Sequence, residues 1–284
     1  MAEKIDYNDL KKGGVLQQRQ PGYLIVRLRN IWGRIDADKL PKIQEIAQKY
    51  GRGYVRCTTM QGIEIPWIKY DDVSQVRKEL REAGLLHGAC GPRVRTIVAC
   101  SGGSLCKYGL FDNEKIAHKL DDAFFGKEEL KFKTKISVAC CPNSCSMPRA
   151  HDIGLIGRVK VEIDESVCTG CGACAEICKP KAIEIDGGRA KLDESKCNDC
   201  GKCLHACPFN AWKEVKRGFD VYAGGKMGGE AQLGVLVLRY VPVDELVEKI
   251  ERCLKVLSEH GKPGERLGAL INRQGLEWYK KQLA

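Results

Sequence analysis

Apolar residues recur along the chain in two periods, and the alternation of the two sets the architecture. Leu24 to Leu28 is an apolar-rich run of strand length, and Leu40 to Tyr50 repeats its apolar residues at helical spacing until Gly51 stops it. Tyr54 to Cys57 and Ile63 to Ile68 read as two strands joined through Gln61-Gly62, followed by a helix from about Asp72 to Ala83 that ends at Gly84. Val94 to Ala99 and Lys135 to Ala139 read as strands delivering cysteines at their carboxyl ends, with an amphipathic helix from about Asn113 to Phe124 between them. Ile153 to Ile163 reads as a further strand. Beyond a cysteine-rich stretch come a strand from Val235 to Val241, a helix from about Val243 to Glu259 and a last helix near Glu265 to Gln282. This order predicts an α+β fold.

The cysteine-rich stretch is a duplication. Cys168, Cys171, Cys174 and Cys178, and then Cys197, Cys200, Cys203 and Cys207, each follow the pattern C-x2-C-x2-C-x3-C, the spacing that holds a pair of [4Fe-4S] clusters. Three thiolates on a tight loop grip one cubane, while the fourth, on a short helix just beyond, points to the neighbouring one. Cys168, Cys171, Cys174 and Cys207 are therefore assigned to one cluster, and Cys197, Cys200, Cys203 and Cys178 to the other. Structural zinc prefers two separated C-x2-C knuckles, and disulfides do not call for so regular a spacing. The repeat marks an inserted module over 164–212, leaving 1–163 and 213–284 as the domain that carries it.

Composition sharpens this picture. Hydrophobic residues make up 43% of the 284 positions, which excludes disorder. No window approaches the length of a membrane span, and the opening MAEKIDYNDLKKGG lacks the apolar core of a secretion signal, so a cytoplasmic protein without a membrane partner is expected. In that compartment sixteen cysteines are expected as thiolates on metal rather than as disulfides. The formal net charge of +10 would suggest nucleic acid, but each four-thiolate cluster contributes about −2. The basic residues also form no long run or aromatic-basic interleaving, so no nucleic-acid partner is expected.

Four more cysteines stand outside the duplication. Cys100 and Cys106 form a C-x5-C, and Cys141 and Cys145 a C-x3-C, each pair on a loop after a strand. This pairing resembles the cluster-binding signature of the sirohaem-dependent sulfite and nitrite reductases, as do the surrounding VRTIVACSGGSLCKYG, KFKTKISVACCPNSC and FDVYAGGKMGG. The resemblance runs from about Gly53 onward and includes an inserted ferredoxin module like that of the dissimilatory-type and anaerobic sulfite reductases. It implies a mixed-sheet domain in which Cys100, Cys106, Cys141 and Cys145 hold a third [4Fe-4S] cluster, with Cys145 also the axial ligand of a sirohaem. The glycine-rich stretch with Gly224, Gly225, Lys226, Gly228 and Gly229 is the candidate cradle for that flat ligand, the alternative being a flexible surface loop.

A small oxyanion whose oxygens leave as water needs cations that bind it and deliver protons. Lys131, Lys133 and Lys135 alternate, which puts them on one face of the strand leading to Cys141. The resemblance implies that Lys133 and Lys135 are the substrate lysines and Arg95 a substrate arginine, with Lys131 and Arg56 as further candidates. One departure stands out: where the family has T-T-R-Q, this chain reads Thr58-Thr59-Met60-Gln61, with a thioether in place of a guanidinium. Cys57, Cys90 and Cys253 read as buried thiols, Cys140 as a neighbour of the cluster loop, and His205 as a shield for a cluster.

The expected function is six-electron reduction of sulfite to sulfide, with electrons entering through the two ferredoxin-type clusters. No Gly-x-Gly-x-x-Gly fingerprint for a nicotinamide or flavin is evident, so an external donor, a ferredoxin or a reductase subunit, is expected. The alternatives are a nitrite reductase forming ammonia, and an electron-transfer subunit with a degenerate sirohaem site. The chain carries one copy of a unit that family enzymes duplicate. A homo-oligomer is therefore expected, with Arg95, Lys133 and Lys135 of one subunit facing the sirohaem of another.

Overall fold

The computed structural model describes residues 6–127 and 132–283. The chain opens with α1 (Tyr7–Lys12), whose first N–H groups are capped by the Asp6 carboxylate. Then come β1 (Val15–Gln17), β2 (Tyr23–Arg27), α2 (Leu40–Tyr50), β3 (Arg56–Cys57), β4 (Ile63–Lys69) and α3 (Val73–Glu82). The strands form an antiparallel sheet in the order β1-β2-β4-β3. Leu24 and Val26 alternate inward along β2, and they meet Ile43 and Ile46 of α2 and Val76 and Leu80 of α3 in one core.

A second, larger core follows. The elements that follow along the chain are β5 (Val98–Ala99), α4 (Asn113–Phe124), β6 (Ile136–Ala139), β7 (Ile153–Ile163), α5 (Ala173–Ile177), β8 (Ile183–Asp186), β9 (Arg189–Leu192), α6 (Lys202–Ala206), β10 (Trp212–Ala223), β11 (Val235–Val241), α7 (Leu246–His260), α8 (Leu267–Gln274) and α9 (Leu276–Leu283). Five of the strands form a mixed sheet in the order β11-β10-β7-β6-β5, parallel from β5 to β7 and antiparallel beyond. Every residue of β6 is buried, as suits a strand covered on both faces. Ile116, Leu120 and Phe124 of α4 and Ile250, Leu254 and Leu257 of α7 pack with this sheet.

β7 and β10 pair along their whole length, so that Ile163 lies opposite Trp212. The segment between them thus leaves and returns at one point of the sheet. It has its own hairpin, β8 with β9, and its own small core of Val159, Val161, Cys174, Ile183, Ala190, Cys203 and Trp212. The described residues therefore form three apolar cores, two of them within the part that sequence alone presents as one domain.

Several elements differ from the sequence expectation. Tyr54 and Val55 are exposed and lie outside β3, which is a two-residue edge strand with both positions open, so Cys57 is an exposed thiol rather than a buried one. Cys90 and Cys253 are buried as expected. The strand expected from Val94 shrinks to β5, with one isolated bridge between Val94 and Thr134. The expected last helix breaks into α8 and α9 at Gly275, whose φ of 94° no helix accepts.

One buried ion pair fastens the sheet to the carboxyl-terminal helices. Asp152, 1% exposed, accepts both Nε and Nη2 of Arg266 at 2.7 Å and the backbone N–H of Lys135 at 2.8 Å. Asp152→Ala leaves a part-buried guanidinium without its carboxylate, and a loss of about 3–5 kcal/mol in stability is expected by denaturant titration.

Candidate active site

The parallel alignment of β5 and β6 sets their carboxyl ends side by side, the end at which open α/β sheets bind ligands. Cys100 follows β5, and Cys140 and Cys141 follow β6. Asn113, fully buried at the start of α4, donates its Nδ2 to the Cys100 sulfur at 3.2 Å and to the Val138 carbonyl at 3.2 Å. The Cys140 N–H also points at the Cys100 sulfur, at 3.3 Å, and the Cys140 sulfur lies 3.5 Å from it. The Cys100 thiol is lowered to about 6 by its hydrogen bond from Cys140, with the backbone N–H groups of Cys140 and Gly102 and the Asn113 amide adding to this against burial. Cys141 is likewise lowered to about 6, first by Cys140 and also by the Asn143 N–H and the Lys202 charge. As the shared donor, Cys140 is pushed far up. Cys145 is raised by burial and then by the fields of Cys100, Cys141 and Cys106, so the four thiols from two loops share one neighbourhood.

Toward the amino ends of β5 and β6, which Arg95, Lys133 and Lys135 precede, lies a cavity of about 380 Å³ lined by Arg27, Arg56, Arg95, Lys133, Lys135 and Met60, among others. Sequence reasoning thus finds four of its cations and misses Arg27. The five are not equivalent. Glu64, 1% exposed in the apolar β4, accepts Arg27 through Oε1 and Arg56 through Oε2, each at 2.5 and 3.0 Å. Burial pushes the Glu64 carboxyl up, but these bonds outweigh it and hold the group below its ordinary value. Arg27 Nη1 also lies 3.0 Å from the Cys90 sulfur.

Arg95, Lys133 and Lys135 are less neutralised. Arg95 donates to the Ala89 and Gly91 carbonyls at 3.3 and 3.2 Å, and its buried Nε has no hydrogen-bond partner among the described residues. Burial lowers its pKa. Lys133 and Lys135 precede β6 rather than lie in it, on either side of the buried Thr134, whose carbonyl accepts the Arg95 N–H at 3.0 Å. Both lysines are held below the ordinary value by burial first; next come the charge of Arg95 for Lys133 and of Lys133 for Lys135, with Arg266 acting on both and Asp152 opposing. Lys131 lies outside the described residues.

The turn from Thr58 to Gly62 separates this cavity from a more open one of about 690 Å³ that borders the Cys100 loop at Ala99, Ser101 and Leu105. Gln61 locks the turn onto β5: its Nε2 donates to the Ala99 carbonyl at 2.7 Å, and its Oε1 accepts the Ala99 N–H at 3.0 Å. Met60 faces the cation cavity, and Gly62 and Cys57 border both.

In the glycine-rich loop, Gly225 has a local reason to be glycine. A Cβ there would stand 2.2 Å from the Arg149 carbonyl oxygen. Gly224 is packed in the same way against Gly268, whereas Gly228 and Gly229 border open space, and Lys226 pairs with Glu230 at 3.3 Å.

In the segment between β7 and β10, Cys178 from the first repeat lines one cavity with Cys197, Cys200 and Cys203 of the second, and Cys174 shares the wall. The repeats treat their fourth cysteine alike: the Ala182 N–H donates to Cys178 at 3.3 Å and the Ala211 N–H to Cys207 at 3.4 Å. Cys168 accepts the Ala190 N–H at 3.4 Å, and Cys171 is exposed. Cys203 is raised to about 12 by burial and by Cys200 and Cys197. His205 is exposed. Among the described residues no three His, Cys, Asp or Glu side chains form a site for a single metal ion. Sulfurs that share a cubane each bind a different iron and stand correspondingly farther apart.

A mixed sheet with thiols past the carboxyl ends of its parallel strands and a cation-lined cavity toward their amino ends defines the class as an α+β scaffold. The chain belongs to the nitrite and sulphite reductase family. Residues 90–284 match its 4Fe-4S domain, and residues 16–83 match its ferredoxin-like half domain, the span of the first core. A coenzyme F420-dependent sulfite reductase of Methanocaldococcus jannaschii is 37% identical over 92% of this chain, which spans 42% of that protein. An uncharacterised protein of the same archaeon is 32% identical over 98% of this chain and 96% of its own length. One subunit of the anaerobic sulfite reductase of Salmonella typhimurium is 29% identical over 92% of this chain and 83% of its own. The fold matches that of dissimilatory sulfite reductase I with a TM-score of 0.75 at 21% identity, over 92% of this chain and 69% of that one.

Proposed function

We propose that this chain is a sirohaem- and iron-sulfur-dependent reductase that takes sulfite to sulfide. The observation that carries the reading is that β5 and β6 present one thiol neighbourhood, Cys100, Cys106, Cys141 and Cys145, past their carboxyl ends and, toward their amino ends, a cavity in which Arg95, Lys133 and Lys135 form no ion pair with a carboxylate among the described residues. The donor set suits a cubane: four thiols, two of them lowered toward thiolate by hydrogen bonds already in place. Cys145 is the residue that would hold the sirohaem as well as the cluster. Gly224, Gly225, Lys226, Gly228 and Gly229 are proposed to flank the tetrapyrrole, with Gly228 and Gly229 on the open side. When bound, such a coupled pair would supply electrons to the substrate one at a time.

The residues of the chain account for the rest of the chemistry. Bisulfite needs six electrons and six protons to give hydrosulfide and three waters. Arg95 places charge on the anion through a guanidinium already fixed by the Ala89 and Gly91 carbonyls, so little reorganisation is needed on binding. Lys133 and Lys135 give up protons more readily than free lysines do, which suits them to protonate departing oxygens. Arg27 and Arg56 share their charge with Glu64 and shape the wall. Met60 puts a polarisable, uncharged group where a further cation would raise the positive field again. The segment over 164–212 is read as a ferredoxin module with the cluster ligands crossed as the spacing suggests. Its electrons would come from an external donor, and a homo-oligomer would place the cations of one subunit at the sirohaem of another.

The test is absorption spectroscopy and turnover of the anaerobically purified protein. A sirohaem band that shifts with sulfite, cyanide or carbon monoxide, and faster turnover of sulfite than of nitrite with reduced viologen, are expected. No such band, or one that ligands leave in place, would assign the chain to electron transfer alone.

A further inference from the structure

We propose that Lys202 and Tyr108 form the electrical contact between the duplicated cysteine segment and the thiol set of the larger core. They make the centre on Cys197, Cys200, Cys203 and Cys178 the inner of the two, and the centre on Cys168, Cys171, Cys174 and Cys207 the outer. The inference rests on the reading that all three cysteine sets hold clusters, and it adds the order in which they are used and the residues that fix it.

The two repeats are tied down in opposite ways. The second is bolted to the main sheet: Cys200 forms a bridge with Val159 of β7, and the Val159 N–H donates to the Asp199 carbonyl at 2.9 Å. Arg158, already bound to Asp220 at 3.1 Å, reaches the Asn198 carbonyl at 2.6 Å, and the Tyr240 hydroxyl donates to Asp199 Oδ2 at 2.7 Å. The first repeat leans on the hairpin of β8 and β9 instead. Arg189 Nη1 donates to the Cys168 carbonyl at 3.1 Å, Gly170 is pressed against Gly188, and Cys171 is open to solvent.

The junction itself spans few atoms. Tyr108 stands two residues after Cys106, and Lys202 stands one before Cys203. The Lys202 ammonium lies 4.8 Å from the centroid of the Tyr108 ring, which Lys107 also approaches, at 5.0 Å. Beside this contact, Gly201 packs against Leu110, close enough that a Cβ would touch the leucine at 3.5 Å. The repeats differ at this place: Cys200-Gly201-Lys202-Cys203 carries a cation where Cys171-Gly172-Ala173-Cys174 carries a methyl group. A positive charge beside a reducible centre favours its reduced form, so Lys202 draws electrons inward, while its counterpart Ala173 exerts no such pull. In each passage one electron leaves the inner centre, which is oxidised, and enters the centre on Cys100, Cys106, Cys141 and Cys145, which is reduced. No bond changes and no proton moves. The outer centre then gives one electron to the inner one, and a one-electron reductant outside the chain refills the outer centre.

Redox titration of the anaerobically purified holoprotein, followed by EPR, tests this with reduced viologen as the reductant. Lys202→Gln is expected to lower the midpoint potentials of the inner and core centres and leave the outer one in place, whereas Lys202→Arg keeps the wild-type values. Tyr108→Leu is expected to leave all midpoints and slow the arrival of electrons at the core centre in stopped-flow. Unmoved midpoints in Lys202→Gln, or an outer centre that shifts as much as the inner, would overturn the proposal while the reductase reading stands. Wild-type protein without cluster signals would overturn both.

Discussion

Cys141→Ala is expected to abolish sulfite turnover and the sirohaem spectrum together, while the EPR signals of the two outlying centres survive. The reasoning is local. Cys141 shares its neighbourhood with Cys100, Cys106 and Cys145, so its loss breaks a donor set that no other thiol is placed to complete. Cys140 is adjacent, but it lies against the Cys100 sulfur, to which its own N–H points, instead of taking a separate position in the set. The duplicated segment has its own core and its own eight cysteines, so it should keep its metal. Cys140→Ala supplies the contrast: it removes a hydrogen bond and should keep the sirohaem band. Loss of all cluster signals in Cys141→Ala would mean that the module does not fold apart from the core.

Lys135→Ala should lower kcat/KM for sulfite by about 10²–10³, the range expected when one fixed donor to a developing charge is removed. A pH profile gives the same account a sharper test. The Lys135 ammonium is destabilised by burial, and then by Lys133, Arg266 and Arg95, so its folded pKa lies below the ordinary lysine value. Activity that needs the ammonium is present below that pKa and falls as pH rises through it, earlier than for a free lysine. Lys133→Met removes one of the charges that lower it. The Lys135 pKa then rises, and the alkaline limb of kcat/KM is expected to move to higher pH even as the rate drops. A limb that stays in place would show that Lys135 is not the titrating group.

Much of this was legible in the sequence where periodicity was strong. α2, α4 and β7 fall where their apolar patterns put them, because each buries one well-defined stripe or face. β10 was not read from the sequence at all. Residues 213 to 217 are all exposed and carry no apolar alternation, and the stretch is a strand because β7 pairs with it. α1 rests on an Asp6 cap and buries none of its own residues, so it left no apolar pattern to read. At the candidate site, the lysine alternation, the strand face of Arg56 and the family resemblance pointed to four of the five cations that line the cavity. Arg27 was missed because its contribution depends on a strand pairing, β2 against β4, that sets it beside Glu64. The signal was Glu64 itself, since a carboxylate inside the apolar run IEIPWI has to find cations. Cys57 went the other way: its apolar character suggested burial, but a two-residue edge strand leaves it open between the two cavities.

The most direct measurement is the iron and sirohaem content of the anaerobically purified wild-type chain. Three cubanes and one tetrapyrrole iron predict about thirteen irons and about one sirohaem per chain. A total of about eight irons without sirohaem, enough for the duplicated motifs alone, would contradict the claim that Cys100, Cys106, Cys141 and Cys145 form a metal centre.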